Sequence, residues 1–206
     1  MNQQATQADP ALRRGRPRSG DSLRPGDTAA EEILDAAAEL FSSRGYAATS
    51  TRRIAEAVGV RQASLYHYFE TKDQILIALL DATVCGPLAL ARELAAGDGD
   101  PLESVLELAS FDTTQLLTAR FNLGALYHLP ELTSPSFADF RADRAELAGH
   151  YRSLAAAALG DADDPRSTLP FRLVESVIGM RFDGETDDTA HTVTMILDAI
   201  RRVISE

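Results

Sequence analysis

The chain has 206 residues, 45% of them hydrophobic and 25% charged, with a formal charge of −11 from 20 basic and 31 acidic side chains. That composition fits a soluble globular chain long enough to bury a core, and nine Pro and 13 Gly are too few for a fibrous or disordered one. The single cysteine, Cys85, excludes an internal disulfide framework and a multi-cysteine zinc module, and is expected in the core. No apolar run approaches the roughly 18 residues of a membrane span, and the N-terminus lacks an apolar signal core. The expectation is a cytoplasmic protein with no membrane partner.

Taken whole, a charge of −11 argues against nucleic acid as a partner. Its distribution argues otherwise. Residues 1–26 hold five Arg against Asp9 and Asp21, net +3. Residues 44–72 hold Arg44, Arg52, Arg53, Arg61 and Lys72 against Glu56 and Glu70, again +3. Residues 73–206 hold 10 basic and 22 acidic groups, net −12. The chain is electrically two objects.

Residues 1–27 are polar, basic and broken by Pro10, Pro17 and Pro25, which predicts a disordered arm. Thr28, with Glu31 three residues on, reads as a capping box. Ile33, Leu34, Ala37, Leu40 and Phe41 follow at helical spacing up to Gly45. Further helices are predicted at 51–58, 62–68, and from Thr71 toward Gly86-Pro87. Beyond Gly97 they are predicted at 101–118, 120–129, 136–159, 168–182 and 187–204, divided by Pro130, Pro135, Gly160 to Pro165 and Gly184. No strand alternation is sustained, so the fold class is all-α.

Residues 49–73 satisfy the demands of a helix-turn-helix. Ala55 is small enough for a close crossing, and Gly59 accepts a turn conformation. Ile54, Val58, Val60 and Leu65 supply the apolar seam. On the outward face of the second helix stand Arg61, Gln62, Ser64 and His67, in the half that enters the major groove. Arg can bond guanine, Gln adenine, and Ser either. Thr49, Thr51, Tyr66, Tyr68 and Lys72 are candidates for phosphate, and Arg52 is a further candidate for DNA binding. Lys72 would add its charge to a helix N-terminus.

Residues 28–76 resemble the DNA-binding domain of TetR-family repressors. The resemblance rests on Gly45-Tyr46 with Thr49, Ile54-Ala55, Ala57-Val58-Gly59-Val60, Leu65-Tyr66, Tyr68-Phe69 and Lys72-Asp73. It implies a three-helix DNA-binding domain at 28–73, followed by a helical ligand-binding and dimerisation domain at 74–206. Two positions depart from the pattern: Arg61 where Ser often caps the recognition helix, and Ala63 where Gly is common. Arg61 thus forgoes a cap, and the expectation is that it contacts DNA instead. In the arm, Arg14-Gly15-Arg16-Pro17-Arg18 is similar to an AT-hook, with Arg16 and Arg18 suited to a narrow minor groove.

Residues 73–206 carry no recognisable catalytic motif, and no enzyme activity or cofactor is expected. Asp187, Asp188 and His191 share helical spacing, but surface solvation explains them and no metal site is expected. Phe111, Phe121, Tyr127, His128 and Met180 are candidate walls of a mostly apolar pocket for a small lipophilic effector, which the resemblance implies. Val193, Ile196, Leu197, Ile200, Val203 and Ile204 form an apolar stripe that serves either an intrachain core or a homodimer's four-helix bundle. The expected function is an operator-binding repressor of double-stranded DNA. Its rivals are an activator or nucleoid-type binder of the same fold, and a helical enzyme or carrier that only retains the motif.

Overall fold

The computed structural model describes residues 24–205, within which every regular element is helical. Helix α1 spans Ala29–Arg44. The Thr28 side chain accepts from the Glu31 amide while the Glu31 carboxylate reaches back to Thr28, so the capping box forms. Helix α2 spans Thr51–Val58 and is capped by Ser50. It ends at Gly59, whose φ of 74° lies in the left-handed region that a side chain disfavours. The Gly59 and Val60 amides turn back onto Glu56 and Ala55. Helix α3 is a single turn, Gln62–Leu65, shorter than the 62–68 expected. Its N-cap, Arg61, provides no side-chain cap.

Helix α4 runs from Lys72 to Ala96, well past Gly86-Pro87 where the sequence suggests a stop. Proline within a helix removes a donor and orphans the carbonyl four residues back. Here that carbonyl belongs to Thr83, and Gln115 Nε2 of the neighbouring helix donates to it at 2.9 Å. Gly86 makes room for this: a Cβ there would lie 2.9 Å from Gln115 Oε1. Tertiary structure thus repairs what the local sequence breaks. Replacing Gln115 by Leu should lower stability by about 1–3 kcal/mol by leaving the Thr83 carbonyl unpaired, measured by chemical denaturation.

By length and composition α4 is long and apolar enough to cross a membrane, although it holds no unbroken apolar run of that length. Half of that stretch is buried inside the protein, where Ile75, Leu76, Leu80, Val84 and Leu88 enter the core. Cys85, expected in the core, is exposed. With Val84, Pro87 and Leu88 turned inward, Cys85, one position past Val84, is rotated outward.

Helix α5, Pro101–Thr118, is the central element and packs on α4, α6, α7 and α8. Its last carbonyls are capped from outside: the Arg181 guanidinium donates to Leu116 O and, at 2.6 Å, to Ala119 O. Residues 120–129 do not form the expected α-helix. A 3-10 helix occupies Leu123–His128, followed by 3-10 turns at Pro130–Thr133 and Pro135–Phe137. Pro130 and Pro135 each open a separate turn, since neither has the amide that a continuous helix would need. Helix α6 is Ala138–Leu159, α7 is Leu169–Asp183 and α8 is Thr189–Ser205. The Asp188 carboxylate accepts from the His191 amide at 3.0 Å and so caps α8. Among the described residues no cluster of His, Cys, Asp and Glu could hold a metal ion.

The α8 stripe divides. Ile196, Ile200 and Ile204 are buried in the intrachain core, while Val193, Leu197 and Val203 are half-buried. Leu169 and Phe182 on α7 and Met195 on α8 stay exposed, Phe182 at 82%.

Candidate nucleic-acid interface and ligand cavity

The head of the molecule is built on the anticipated seam. Ile54, Ala55, Val58 and Leu65 are buried against Ile33, Ala37 and Phe41 of α1, with Val60 packed beside them. This fixes α3 and leaves Arg61, Gln62 and His67 exposed and Ser64 half-buried. Gln62 Nε2 donates to Thr51 Oγ1 at 3.0 Å and lies 3.3 Å from Tyr66 Oη. Thr51 and Tyr66 share a hydrogen bond of 3.1 Å. Three of the proposed DNA-binding residues therefore form one polar cluster that ties the start of α2 to α3. Arg52 is exposed and pairs with Glu56 one turn on.

Two residues have roles other than those expected. Thr49 is buried at 1% exposure, and its hydroxyl donates to the Gly45 carbonyl at 2.9 Å. It pins the loop between α1 and α2, and its side chain has no access to phosphate. Lys72 is half-buried, and its Nζ donates to the carbonyls of Tyr46 at 2.9 Å and Thr49 at 3.0 Å. The ammonium also sits 3.9 Å from the centre of the Tyr46 ring. Lys72 is first a clamp holding the start of α4 to that loop. Tyr46 completes the clamp: its hydroxyl donates to Asp73, and burial with that carboxylate pushes the phenol well above its usual range.

The arm candidates Arg16 and Arg18 lie outside the described residues. Arg24, expected in the disordered arm, is docked. Its Nε donates to Ala57 O at 3.0 Å, and its guanidinium pairs with Asp35 and Glu39. Asp35 also receives Arg120, from the segment after α5, and so links head to body.

In the body, a cavity of about 640 Å³ opens between the 3-10 segment, α6 and the start of α7. Tyr127 and His128 line it, together with Leu129, Leu132, Phe140 and Phe171. Arg141, Arg144, Arg152 and Arg172 complete its wall. Arg144 lies over the rings of Tyr127 and Phe171 and pairs with Glu175. The Tyr127 hydroxyl shares a 2.6 Å hydrogen bond with Thr83 Oγ1 of α4, and burial pushes the phenol up to about 12. The remaining wall candidates lie elsewhere. Phe111 is 44% exposed in a separate groove between α4 and α5, beside Gly86. Phe121 and Met180 are half-buried and pack against the core.

The family model for bacterial regulatory proteins of the tetR family matches residues 33–79, which cover the head and the first turns of α4. The HTH-type transcriptional regulator Rv1255c of Mycobacterium tuberculosis is 30% identical over 186 residues, 87% of this chain and 89% of its own. The chain belongs to the tetR family.

Among solved structures, AmtR of Mycobacterium smegmatis is 52% identical and superposes with a TM-score of 0.85 over 90% of both chains. The HTH-type transcriptional repressor KstR2 of M. tuberculosis is 35% identical over 86 residues. That match spans 41% of this chain and 43% of the repressor, less than half its length. What is shared with KstR2 at that level is therefore confined to part of each chain. In this tetR-family protein the clamp of Lys72 and the guanidinium wall are not legible in the sequence. The one signal there is periodic: Arg141, Arg144, Ala148 and Arg152 recur at helical spacing on α6, a stripe that also fits a solvated face.

Proposed function

We propose that this protein is a ligand-responsive transcriptional repressor, acting in the cytoplasm as a homodimer on a palindromic double-stranded DNA operator and released by a small lipophilic effector. The observation that carries the reading is the outward face of α3. Arg61, Gln62 and His67 are exposed on a turn whose other side is locked into the head by Leu65. The exposed Leu169, Phe182 and Met195 on α7 and α8 support dimerisation by offering an apolar surface for a second copy.

Release works through α4. An effector against Tyr127 bears on Thr83, four residues before Pro87. Movement of α4 reaches the head through Lys72, which holds the loop preceding α2. Selection of bound genomic fragments followed by footprinting tests the reading. A single palindromic site near a promoter is expected; scattered protection would favour a nucleoid-type binder. By linkage, operator DNA must weaken effector binding by the same factor that the effector weakens operator binding. Deleting residues 1–23 removes Arg13, Arg14, Arg16 and Arg18 and leaves the docked Arg24. The deletion should lower affinity and flatten its salt dependence by up to about 0.9 for each phosphate the arm neutralises. Anisotropy titrations at several salt concentrations measure this, and an unchanged slope excludes the arm from the interface.

A further inference from the structure

We propose that the cavity between the 3-10 segment, α6 and α7 is built for an organic anion: a carboxylate or phosphate head carried on an apolar body. The inference rests on the proposed effector-released repressor and names the chemistry of the effector.

The charge of the lining runs against that of its surroundings. Residues 73–206 hold 22 acidic and 10 basic groups, yet four of the ten basic ones, Arg141, Arg144, Arg152 and Arg172, meet at this cavity. Among the described residues, no Asp or Glu lines it. Among those same residues, Glu175 is the one carboxylate that pairs with any of the four, and it is shared by Arg144 and Arg172. Arg141 and Arg152 have no carboxylate partner among the described residues. Arg141 donates to the backbone carbonyls of Leu132 and, at 2.8 Å, Ser134, which aims its guanidinium without neutralising it. The Nε of Arg144 is buried and makes no hydrogen bond among the described residues. Arg144 is half-buried while Arg141, Arg152 and Arg172 are exposed, so their charges remain available to an entering anion, and planar guanidiniums match carboxylate and phosphate oxygens in pairs. Phe140, Phe171, Leu129 and Leu132 then offer the apolar wall for the body of the ligand. A volume of about 640 Å³ suits a small organic molecule.

Calorimetric titration of the full chain with matched pairs tests this: decanoate against decanamide, phenylacetate against phenylacetamide, and phenyl phosphate beside inorganic phosphate. Each carboxylate should bind at least about tenfold more tightly than its neutral amide. Arg141→Gln with Arg152→Gln should remove at least that factor while leaving operator affinity in the absence of ligand unchanged. Phenyl phosphate against phenylacetate decides which head is preferred, and inorganic phosphate shows what the head binds alone. Equal binding of acid and amide, no binding of any anion at millimolar concentration, or anion binding indifferent to the double substitution overturns the inference. Its failure is distinguishable from that of the repressor reading. A neutral compound that still releases operator DNA leaves the repressor standing without the anion. An Arg-dependent anion that never alters operator affinity supports the anion site and sinks its regulatory role.

Discussion

Replacing Arg61 and Gln62 together by alanine is expected to weaken operator binding roughly 30-fold to 25,000-fold at fixed salt. Each bidentate bond to a base is worth about 1–3 kcal/mol of discrimination, so removing two costs about 2–6 kcal/mol. Stability should stay within about 0.5 kcal/mol, because both side chains are exposed. Gln62 gives up only its exposed bonds to Thr51 and Tyr66. Lys72→Met provides the contrast. It breaks the clamp on Tyr46 and Thr49, so it should lower thermal stability as well as affinity. Anisotropy with an operator duplex, paired with thermal melts, separates the two. An Arg61/Gln62 double variant that binds DNA like the wild type would exclude α3 as the reading element.

Asp112→Asn is expected to make the protein more stable at pH 8 and to remove most of its loss of stability between about pH 4 and pH 7. Asp112 lies within the body at 4% exposure, hydrogen-bonded to the Tyr151 hydroxyl at 3.2 Å. Burial, reinforced by the Glu175 charge, raises its pKa from 3.8 to about 7, against the lowering effects of Tyr151 and Arg144. A raised acid binds its proton more tightly folded than unfolded. Folding is therefore unpenalised below pH 4, and the penalty grows as pH climbs through that window, because the native state must ionise a buried group or hold its proton. Three units correspond to roughly 4 kcal/mol, an order-of-magnitude figure. Asn keeps an acceptor for Tyr151 and carries no charge. Urea denaturation across pH 4 to pH 8 measures the effect: the two proteins should differ least near pH 4, by roughly 1.5 kcal/mol at pH 5, and most at pH 8. Equal pH dependence would mean that Asp112 does not titrate in this range.

The head is almost fully legible because its signals are local. Thr28 and Glu31, Ser50, Gly59 and the apolar spacing of Ile54, Val58 and Leu65 all lie within a few turns of the structure they specify. Exposure is readable for Arg61 and Gln62, since residues that alternate with a buried seam must face outward. Thr49 reads wrongly as a phosphate ligand because a threonine before a helix serves equally well as a loop pin, and only the fold brings the Gly45 carbonyl to it.

In the body, local rules meet long-range partners. Pro87 reads as a stop, yet Gln115, 28 positions on in the sequence, supplies the bond it removes. The Ile196, Ile200 and Ile204 stripe suits either an interface or a core, and packing against α5 makes it core. By itself, the sequence determined an all-helical chain with a basic, helix-turn-helix head on an acidic body, because caps, turns and hydrophobic periods act over one or two turns. Only the tertiary structure decided that Lys72 clamps the head to α4, that Tyr127 reaches Thr83, and that arginines of α6 and α7 face one cavity. Those are convergences of groups distant in the chain, and their geometry is set by how whole helices pack.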